Sequence, residues 1–287
     1  METWSLSARD LKKYPHFDSW MSANEATSLA TNADRVAAHT FYPFIRYVQG
    51  WTRYADKGDL GIRKDRPIRY AARGDAYIFS YYRHLLSGPY EAALRAYGLQ
   101  NNILAYRRIP EMSGSGGKCN IHFARDAFLK IRAMENCCVI ALDISSFFEN
   151  LDHSKLYELW SRMIGQKKLP PDHLRVFRAI TKYAVVDKQK VYERLGHFGP
   201  KRKTKSGTVI SGYLTPFAKM PKQLCTGKLF RQKIAGGNGE KSLIEKNFKP
   251  YGIPQGSPVS DLLANRIPPL KTTLPARSGA LQNCAYG

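Results

Sequence analysis

The sequence lacks a long hydrophobic run, and it begins without the basic and apolar segments of a signal peptide. A membrane-spanning helix needs about 20 predominantly apolar residues. Apolar residues make up 43% of the chain, which is ordinary for a globular protein. We therefore expect a cytoplasmic protein that has no membrane among its partners.

Cysteine is scarce and odd in number. The five cysteines include the adjacent pair Cys137 and Cys138. They form no Cys-x-x-Cys repeat, and no Cys and His residues fall at zinc-binding spacing. These absences argue against a disulfide scaffold and against a structural zinc site, so we expect reduced thiols, most of them in the core.

Acidic residues are few relative to basic ones. Lysine and arginine total 45 against 23 aspartates and glutamates, which gives a formal net charge of +22. A field of this sign attracts polyanions, and nucleic acid is the first candidate. A membrane surface is a weaker candidate, because no predicted helix combines a basic face with a broad apolar one. A basic protein without such a partner is the remaining alternative.

The positive charge is densest between residues 187 and 250. This region reads as a loop-rich insertion with short strands, such as residues 208–210, and it suits a nucleic-acid channel or a bound structured RNA. A solvated, partly disordered surface is the alternative. The residues expected to contact the nucleic-acid backbone are Lys201, Arg202, Lys203 and Lys205.

Two stretches carry the chemical information. Residues 139–142 are all apolar and the run is too short for a helix, so it predicts a buried strand that ends at Asp143. Phe148 follows, and on its own this pattern also fits a core strand whose aspartate caps the next turn. The second stretch, residues 251–260, contains Pro254, Gln255 and Gly256.

In that order the two stretches resemble the motifs of reverse transcriptases. By this resemblance Asp143 is the metal-binding aspartate of the first palm motif, and the backbone carbonyl of Ile144 is a further metal ligand. Phe148 falls on the aromatic residue that excludes a ribose 2′-hydroxyl. Pro254–Gln255–Gly256 falls on the turn beside the template and the incoming nucleotide. The resemblance spans residues 70–265.

The surrounding sequence refines the resemblance. Residues 105–110 and 147–153 are most similar to bacterial antiphage reverse transcriptases, with group II intron and retron enzymes as more distant relatives. Residues 103–110 read as a strand, and a glycine- and serine-rich loop follows at 113–117. We expect a fingers hairpin there whose cations approach the triphosphate or the template backbone, with solvated loop charges as the alternative. These cations are Arg107, Arg108 and Lys118.

The resemblance implies an RNA-directed DNA polymerase of an antiphage system. Such an enzyme uses two divalent ions, here magnesium with manganese as an alternative. The implied partners are deoxynucleoside triphosphates, an RNA template or a structured non-coding RNA, and the DNA product. Asp152 is conceivable as a second metal ligand, but it fits better as the N-cap of the helix that follows.

The expected fold class is α+β, namely the fingers and partial palm of a right-hand polymerase without the second catalytic hairpin and the thumb. We expect an N-terminal helical region and fingers over residues 1–135 and the partial palm over 136–265. No Asp or Glu follows Asp261, and the chain turns polar and proline-broken after Asn265. We therefore expect a truncation or frameshift, a disordered tail over 266–287 and no polymerisation by this chain alone. A non-catalytic RNA-binding protein that keeps the basic groove and a degraded gene product are the alternatives.

Periodicity sets further expectations about the helices. Residues 1–60 read as helices and loops. Residues 75–97 predict a helix that is interrupted at 87–89 and stopped by Gly98. Other helices are expected over residues 121–134, after Asp152, around 174–183 and from about Ser257.

Overall fold

The computed structural model describes residues 4–52, 61, 63–111, 116–204 and 206–265, and these form a mixed structure of helices and small sheets. The helices are α1 (Ala23–Thr31), α2 (Ala33–Ala38), α3 (Arg73–Ala96), α4 (Asn120–Ala133), α5 (His153–Met163), α6 (Pro171–Thr181), α7 (Lys188–Arg194), α8 (Gly227–Leu229) and α9 (Pro258–Ala264). The strands are β1 (Phe44–Thr52), β2 (Arg63–Tyr70), β3 (Ala184–Asp187), β4 (Phe198–Lys203), β5 (Val209–Tyr213) and β6 (Glu245–Lys246).

The larger sheet has the strand order β2-β1-β3-β6. Strand β1 pairs antiparallel with β2 and parallel with β3, while β6 is antiparallel to β3. The expectation of helices and loops over residues 1–60 is wrong at β1. Because side chains alternate along a strand, Phe44 and Ile45 enter two different cores rather than one helix face. Strands β4 and β5 form a separate hairpin.

Helix α3 lies at the centre of the larger core, and buried positions recur along its length. It runs unbroken through Pro89, so the predicted interruption at residues 87–89 is wrong. Proline removes one intrahelical donor, but Leu86 and Tyr90 on either side are 0% and 1% exposed and hold both turns on the same core. Gly98, with a φ of +66°, confirms the predicted stop.

A smaller core lies on the opposite face of the larger sheet. Ile45 and Val186 of the sheet pack there with Val191 and Tyr192 of α7. The N-terminal segment adds Phe17, which is 1% exposed. The basic region over residues 187–250, which was predicted to be loop-rich, therefore packs on the sheet through α7.

The expected buried strand before Asp143 is wrong. Residues 139–142 are irregular, and the apolar side chains of Val139, Ile140 and Leu142 are 58%, 67% and 81% exposed. A continuous apolar run becomes a strand only where neighbouring strands pair with it and both faces are covered. The strands of the described sheets lie elsewhere in the chain. Helix α4, which precedes this segment, confirms the predicted helix but contains no buried residue.

The expected strand over residues 103–110 is also wrong. The segment is irregular, and Tyr106 has a φ of +57°, which a regular strand does not allow. A bridge between Pro110 and Gly117 closes the loop that follows. Among the described residues before α4, β1 and β2 form a regular antiparallel pair.

Several local predictions are confirmed. Asp152 is the N-cap of α5, and its carboxylate accepts the backbone N–H of Lys155 at 2.9 Å. Helix α9 begins next to Ser257, α6 covers most of the face predicted around residues 174–183, and β5 overlaps the short strand predicted at 208–210. Among the described residues, no helix has both the length and the apolar character that crossing a bilayer requires.

Candidate active site

The segment that follows Asp143 and the segment of the Pro254–Gln255–Gly256 turn lie side by side. The backbone N–H of Ile253 donates to the carbonyl of Phe148 at 2.9 Å, and that of Gly252 donates to Leu151 at 2.8 Å. In the opposite direction, the N–H of His153 donates to the carbonyl of Pro250 at 3.0 Å. The structure therefore brings together two motifs that are far apart in the sequence.

The turn also attaches to the edge of the larger sheet. The backbone N–H of Arg69 in β2 donates to the carbonyl of Gln255 at 3.0 Å. Gly256 has a φ of +109°, and a Cβ on it would stand 2.7 Å from the carbonyl oxygen of Arg69. A side chain at this position would meet backbone, so glycine permits the close approach of the turn to β2.

Arg69 is a site residue that sequence reasoning missed. Its Nη1 lies 3.2 Å from Glu149 Oε1, and its guanidinium lies 5.7 Å from the centre of the Tyr183 ring. The side chain is 10% exposed, and its Nε has no hydrogen-bond partner in the described structure. The sequence feature that could have identified Arg69 is its position as the one charged residue in the otherwise apolar run from Ile68 to Ala72.

An aromatic wall adjoins the turn. Phe148 is 7% exposed, and its ring meets those of Phe147 and Tyr106 edge to face at 6.1 Å and 6.2 Å between ring centres. Phe148 is therefore part of the core as well as a wall of the candidate site. Tyr106 is 43% exposed and has the positive φ described above. Its backbone carbonyl accepts a hydrogen bond from the Arg83 side chain at 2.8 Å.

Asp261 supplies a carboxyl group near this wall. Burial raises the pKa of Asp261 to about 6, and Arg83 partly opposes that shift. Burial also raises the pKa of the Tyr106 phenol, and the nearby charge of Asp261 raises it further. This carboxyl group is close to half-ionised near pH 6, whereas an unperturbed aspartate is ionised well below that pH.

The proposed metal ligands are Asp143 and the carbonyl of Ile144. Both residues lie in the exposed, irregular segment before Phe148. Within the described part of the chain, no three His, Cys, Asp or Glu side chains are grouped so that they could hold a metal ion. The described residues thus do not fit a complete two-ion site, and Asp152 is used as a helix cap.

The three cations expected at a fingers tip have different environments. Arg107 makes a two-pronged pair with Glu91 at 2.8 Å and 2.7 Å and donates to two backbone carbonyls, so its guanidinium is already occupied. Lys118 pairs with Asp126 at 2.7 Å. Arg108 is exposed. Residues 112–115 of the expected tip lie outside the described residues.

Three of the four proposed backbone contacts lie on strand β4. Lys201, Arg202 and Lys203 are all exposed on β4. Lys205 and the tail over residues 266–287 lie outside the described residues. No protein-family model matches this chain, and no curated protein matches it either.

Proposed function

We propose that this chain carries the fingers and part of the palm of an RNA-directed DNA polymerase, which works in the cytoplasm in antiphage defence. The observation that supports this best is the packing of the Pro254–Gln255–Gly256 turn against the segment after Asp143. Three backbone hydrogen bonds join the two segments, and another joins the turn to β2. The partners of the proposed polymerase are an RNA template or a structured non-coding RNA, deoxynucleoside triphosphates and the DNA product.

In this proposal each residue of the site has a distinct role. The ring of Phe148 limits the room at the sugar of the incoming nucleotide. The side-chain amide of Gln255 offers a donor and an acceptor to the template. Gly256 lets the turn lie close against β2, and Arg69 adds positive charge for phosphate oxygens.

The metal chemistry of the proposed enzyme would need more ligands than the described residues assemble. A carboxylate such as Asp143 suits magnesium or manganese, which prefer hard oxygen ligands. Two-ion catalysis requires several such ligands held rigidly and close together. We therefore propose that this chain alone binds its substrates but does not polymerise DNA.

A non-catalytic RNA-binding protein is the second candidate function. It is favoured by the exposed, irregular segment around Asp143, combined with the exposed cations of β4. Such a protein would keep a basic groove without needing a nucleotide site or metal ligands. The two candidates differ in whether the protein selects a nucleotide by its sugar.

Nucleotide selection is therefore the first test. The chain is loaded with an RNA template annealed to a DNA primer, and a fluorescent deoxynucleotide that matches the template is displaced by unlabelled deoxynucleotide or ribonucleotide. We expect deoxynucleotide to compete better, and Phe148→Leu to narrow the difference because the ring is lost while the core stays filled. Phe147→Leu is the matched control and should leave the ratio unchanged, whereas an unchanged ratio in Phe148→Leu would contradict the sugar-selecting role of Phe148.

Primer extension is the second measurement. We expect no extension by this chain with magnesium or manganese. Extension that disappears in Asp143→Ala would overturn the proposal of inactivity and would support the polymerase class. If RNA binds and neither nucleotide does, the RNA-binding protein becomes the better description.

A further inference from the structure

Lys188 is surrounded by tyrosine rings. Its Nζ lies 5.5 Å from the ring centre of Tyr47, 5.5 Å from that of Tyr192 and 6.0 Å from that of Tyr213. These three rings come from β1, α7 and β5. One ammonium group thus joins the larger sheet to the basic hairpin.

The rings around Lys188 lie on the side of the larger sheet that packs on the smaller core. Tyr47 shares its side of β1 with Ile45, which belongs to the smaller core. The side chain of Arg69, by contrast, lies with Glu149 and Tyr183, which border the larger core. The rings around Lys188 and the side chain of Arg69 therefore lie on opposite sides of the sheet.

A second aromatic and cationic pair continues this face outward along β1. Trp51 lies on the same side of β1 as Tyr47 and is 37% exposed. The guanidinium of Arg66, from β2, lies 4.4 Å from the Trp51 ring centre. We refer to Tyr47, Trp51, Arg66, Lys188 and Tyr213 as the aromatic face.

The tyrosines around Lys188 differ in how much of each ring is exposed to solvent. Tyr192 is 3% exposed and is part of the core, but Tyr213 is 49% exposed at the end of β5. Its ring meets Phe198 edge to face at 5.4 Å, which holds the ring in position while half of it faces solvent. A ring that is both held and exposed can stack on a base at little further cost in conformational freedom.

The chain segment that contains Tyr213 carries charge of one sign. Between Glu193 and Glu240 the sequence contains ten lysines and arginines and no aspartate or glutamate. Three of those cations, at residues 201–203, extend along β4 away from Tyr213. Exposed cations on the strand beside an exposed ring match a flexible polyanion that also carries planar groups.

We propose that the aromatic face binds single-stranded nucleic acid, with a base stacked on Tyr213 and a phosphate at Lys188. A double helix is a poorer fit, because its bases are paired and their faces are covered by stacking. The residues of the aromatic face are not those of the proposed nucleotide site. The face would therefore bind a single strand whether or not the chain is a polymerase.

Fluorescence anisotropy with the full chain tests this proposal. The probes are labelled 12-nucleotide strands of RNA uridine, of DNA thymidine and of an abasic backbone with the same number of phosphates. We expect both base-bearing strands to bind more tightly than the abasic one. We also expect Tyr213→Ala to weaken their binding by at least about fivefold, and not that of the abasic strand, because a stacked base contributes about 1–3 kcal/mol.

Matched variants separate stacking from charge and from folding. Tyr213→Phe keeps the ring and should bind as the unmodified chain does. Phe128→Ala removes another aromatic ring, 71% exposed on α4, and should change nothing. Lys188→Gln should reduce the magnitude of the negative slope of log affinity against log salt by about 0.7, because one phosphate contact is lost. Tyr213→Ala should leave that slope unchanged.

Three outcomes would overturn the proposal. They are equal affinity for the base-bearing and abasic strands, no loss in Tyr213→Ala, and the same loss in Phe128→Ala as in Tyr213→Ala. If Tyr213→Ala does not fold, photocrosslinking of a 4-thiouridine strand to the unmodified chain replaces it. Crosslinks must then map to the peptides of Tyr213 or Trp51, and crosslinks that map only elsewhere contradict the proposal.

Discussion

Gly256 is the residue of the candidate site with the least room for change. Its φ of +109° lies in the region that favours glycine, and a Cβ there would stand 2.7 Å from the carbonyl oxygen of Arg69. That oxygen belongs to the backbone of β2, so it cannot turn aside as a flexible side chain can. The lack of a side chain at Gly256 thus determines how closely the turn approaches the sheet.

We expect Gly256→Ala to lower the free energy of unfolding by about 1–3 kcal/mol, the usual range for an imposed backbone strain. Urea unfolding measures this loss. Gly165→Ala is the matched control, because Gly165 also has a positive φ, +68°, but nothing lies within 4 Å of its missing Cβ. In Gly165→Ala the free energy of unfolding should fall only by the cost of placing alanine in the left-handed conformation, about 1 kcal/mol. Equal losses in the two variants would show that the contact with Arg69 is unimportant.

Residues with local signals could be predicted from the sequence, and residues with distant partners could not. Asp152 caps the helix that follows it, and its partner Lys155 is three residues away. Arg69 meets Glu149, which is 80 residues away in the chain. No pattern near Arg69 reports which side chain the fold will place opposite it.

At the scale of elements, the N-terminus of α3 is fixed by a buried polar cluster. Asp75 accepts from Tyr42 N–H at 2.9 Å and lies 2.7 Å from His39 Nε2. Next to it, Arg73 pairs with Asp18, whose carboxylate also accepts the N–H of Gly74 at 2.9 Å. These contacts join α3 to the N-terminal segment and to the loop before β1.

Burial raises the pKa of Asp75 to about 6, although the hydrogen bond and charge of His39 oppose this. The folded protein therefore keeps a proton that the unfolded chain, with its ordinary value of 3.8, has already released. Where the folded state binds more protons, stability falls as pH rises. The stability that protonated Asp75 contributes is thus present below about pH 4 and is lost by about pH 6.

Asp75→Asn should remove this pH dependence. We expect the stability of the unmodified chain relative to the variant to fall between pH 4 and pH 6, by at most about 1.4 kcal/mol per unit of pKa difference. Urea unfolding at pH 4, 5, 6 and 7 measures it. The difference between the two proteins is needed because burial lowers the pKa of His16 to about 3, which gives a slope of the opposite sign.

Asp126→Asn is the control for this measurement. Its exposed pair with Lys118 lowers the pKa of Asp126, so it should not reproduce the fall. A difference between the unmodified chain and Asp75→Asn that stays constant from pH 4 to pH 7 would contradict the role given to Asp75. A constant offset alone would reflect the lost hydrogen bonds.

Element type was predictable where one chain segment decides it. Helices α4, α5 and α9 have a clear period or cap, and the structure contains them. Residues 139–142 have the composition of a buried strand, but a strand also needs partners that its own sequence does not contain. The antiparallel strands β1 and β2 were missed because their side chains face different surroundings on the two faces of the sheet.

At the scale of the whole molecule, the mixed fold class was expected from the resemblance to reverse transcriptases, and the charge follows from composition. A net charge of +22 gives a long-range field, but it does not specify where a polyanion lies. We propose that the exposed cations of β4 provide the local site. The remaining prediction separates the local site from the overall charge.

Nucleic-acid binding should be salt-sensitive, and the sensitivity should depend on β4. For a single strand, log affinity falls against log salt with a slope of about 0.7 per phosphate contacted. We expect replacement of Lys201, Arg202 and Lys203 by alanine to reduce the magnitude of that slope by about 2, because three phosphate contacts are lost. The matched control removes three exposed cations of α4, at residues 125, 130 and 132, and so lowers the net charge equally. If both triple variants reduce the slope to the same extent, overall charge rather than β4 governs binding. A salt titration without slope would exclude phosphate contacts altogether.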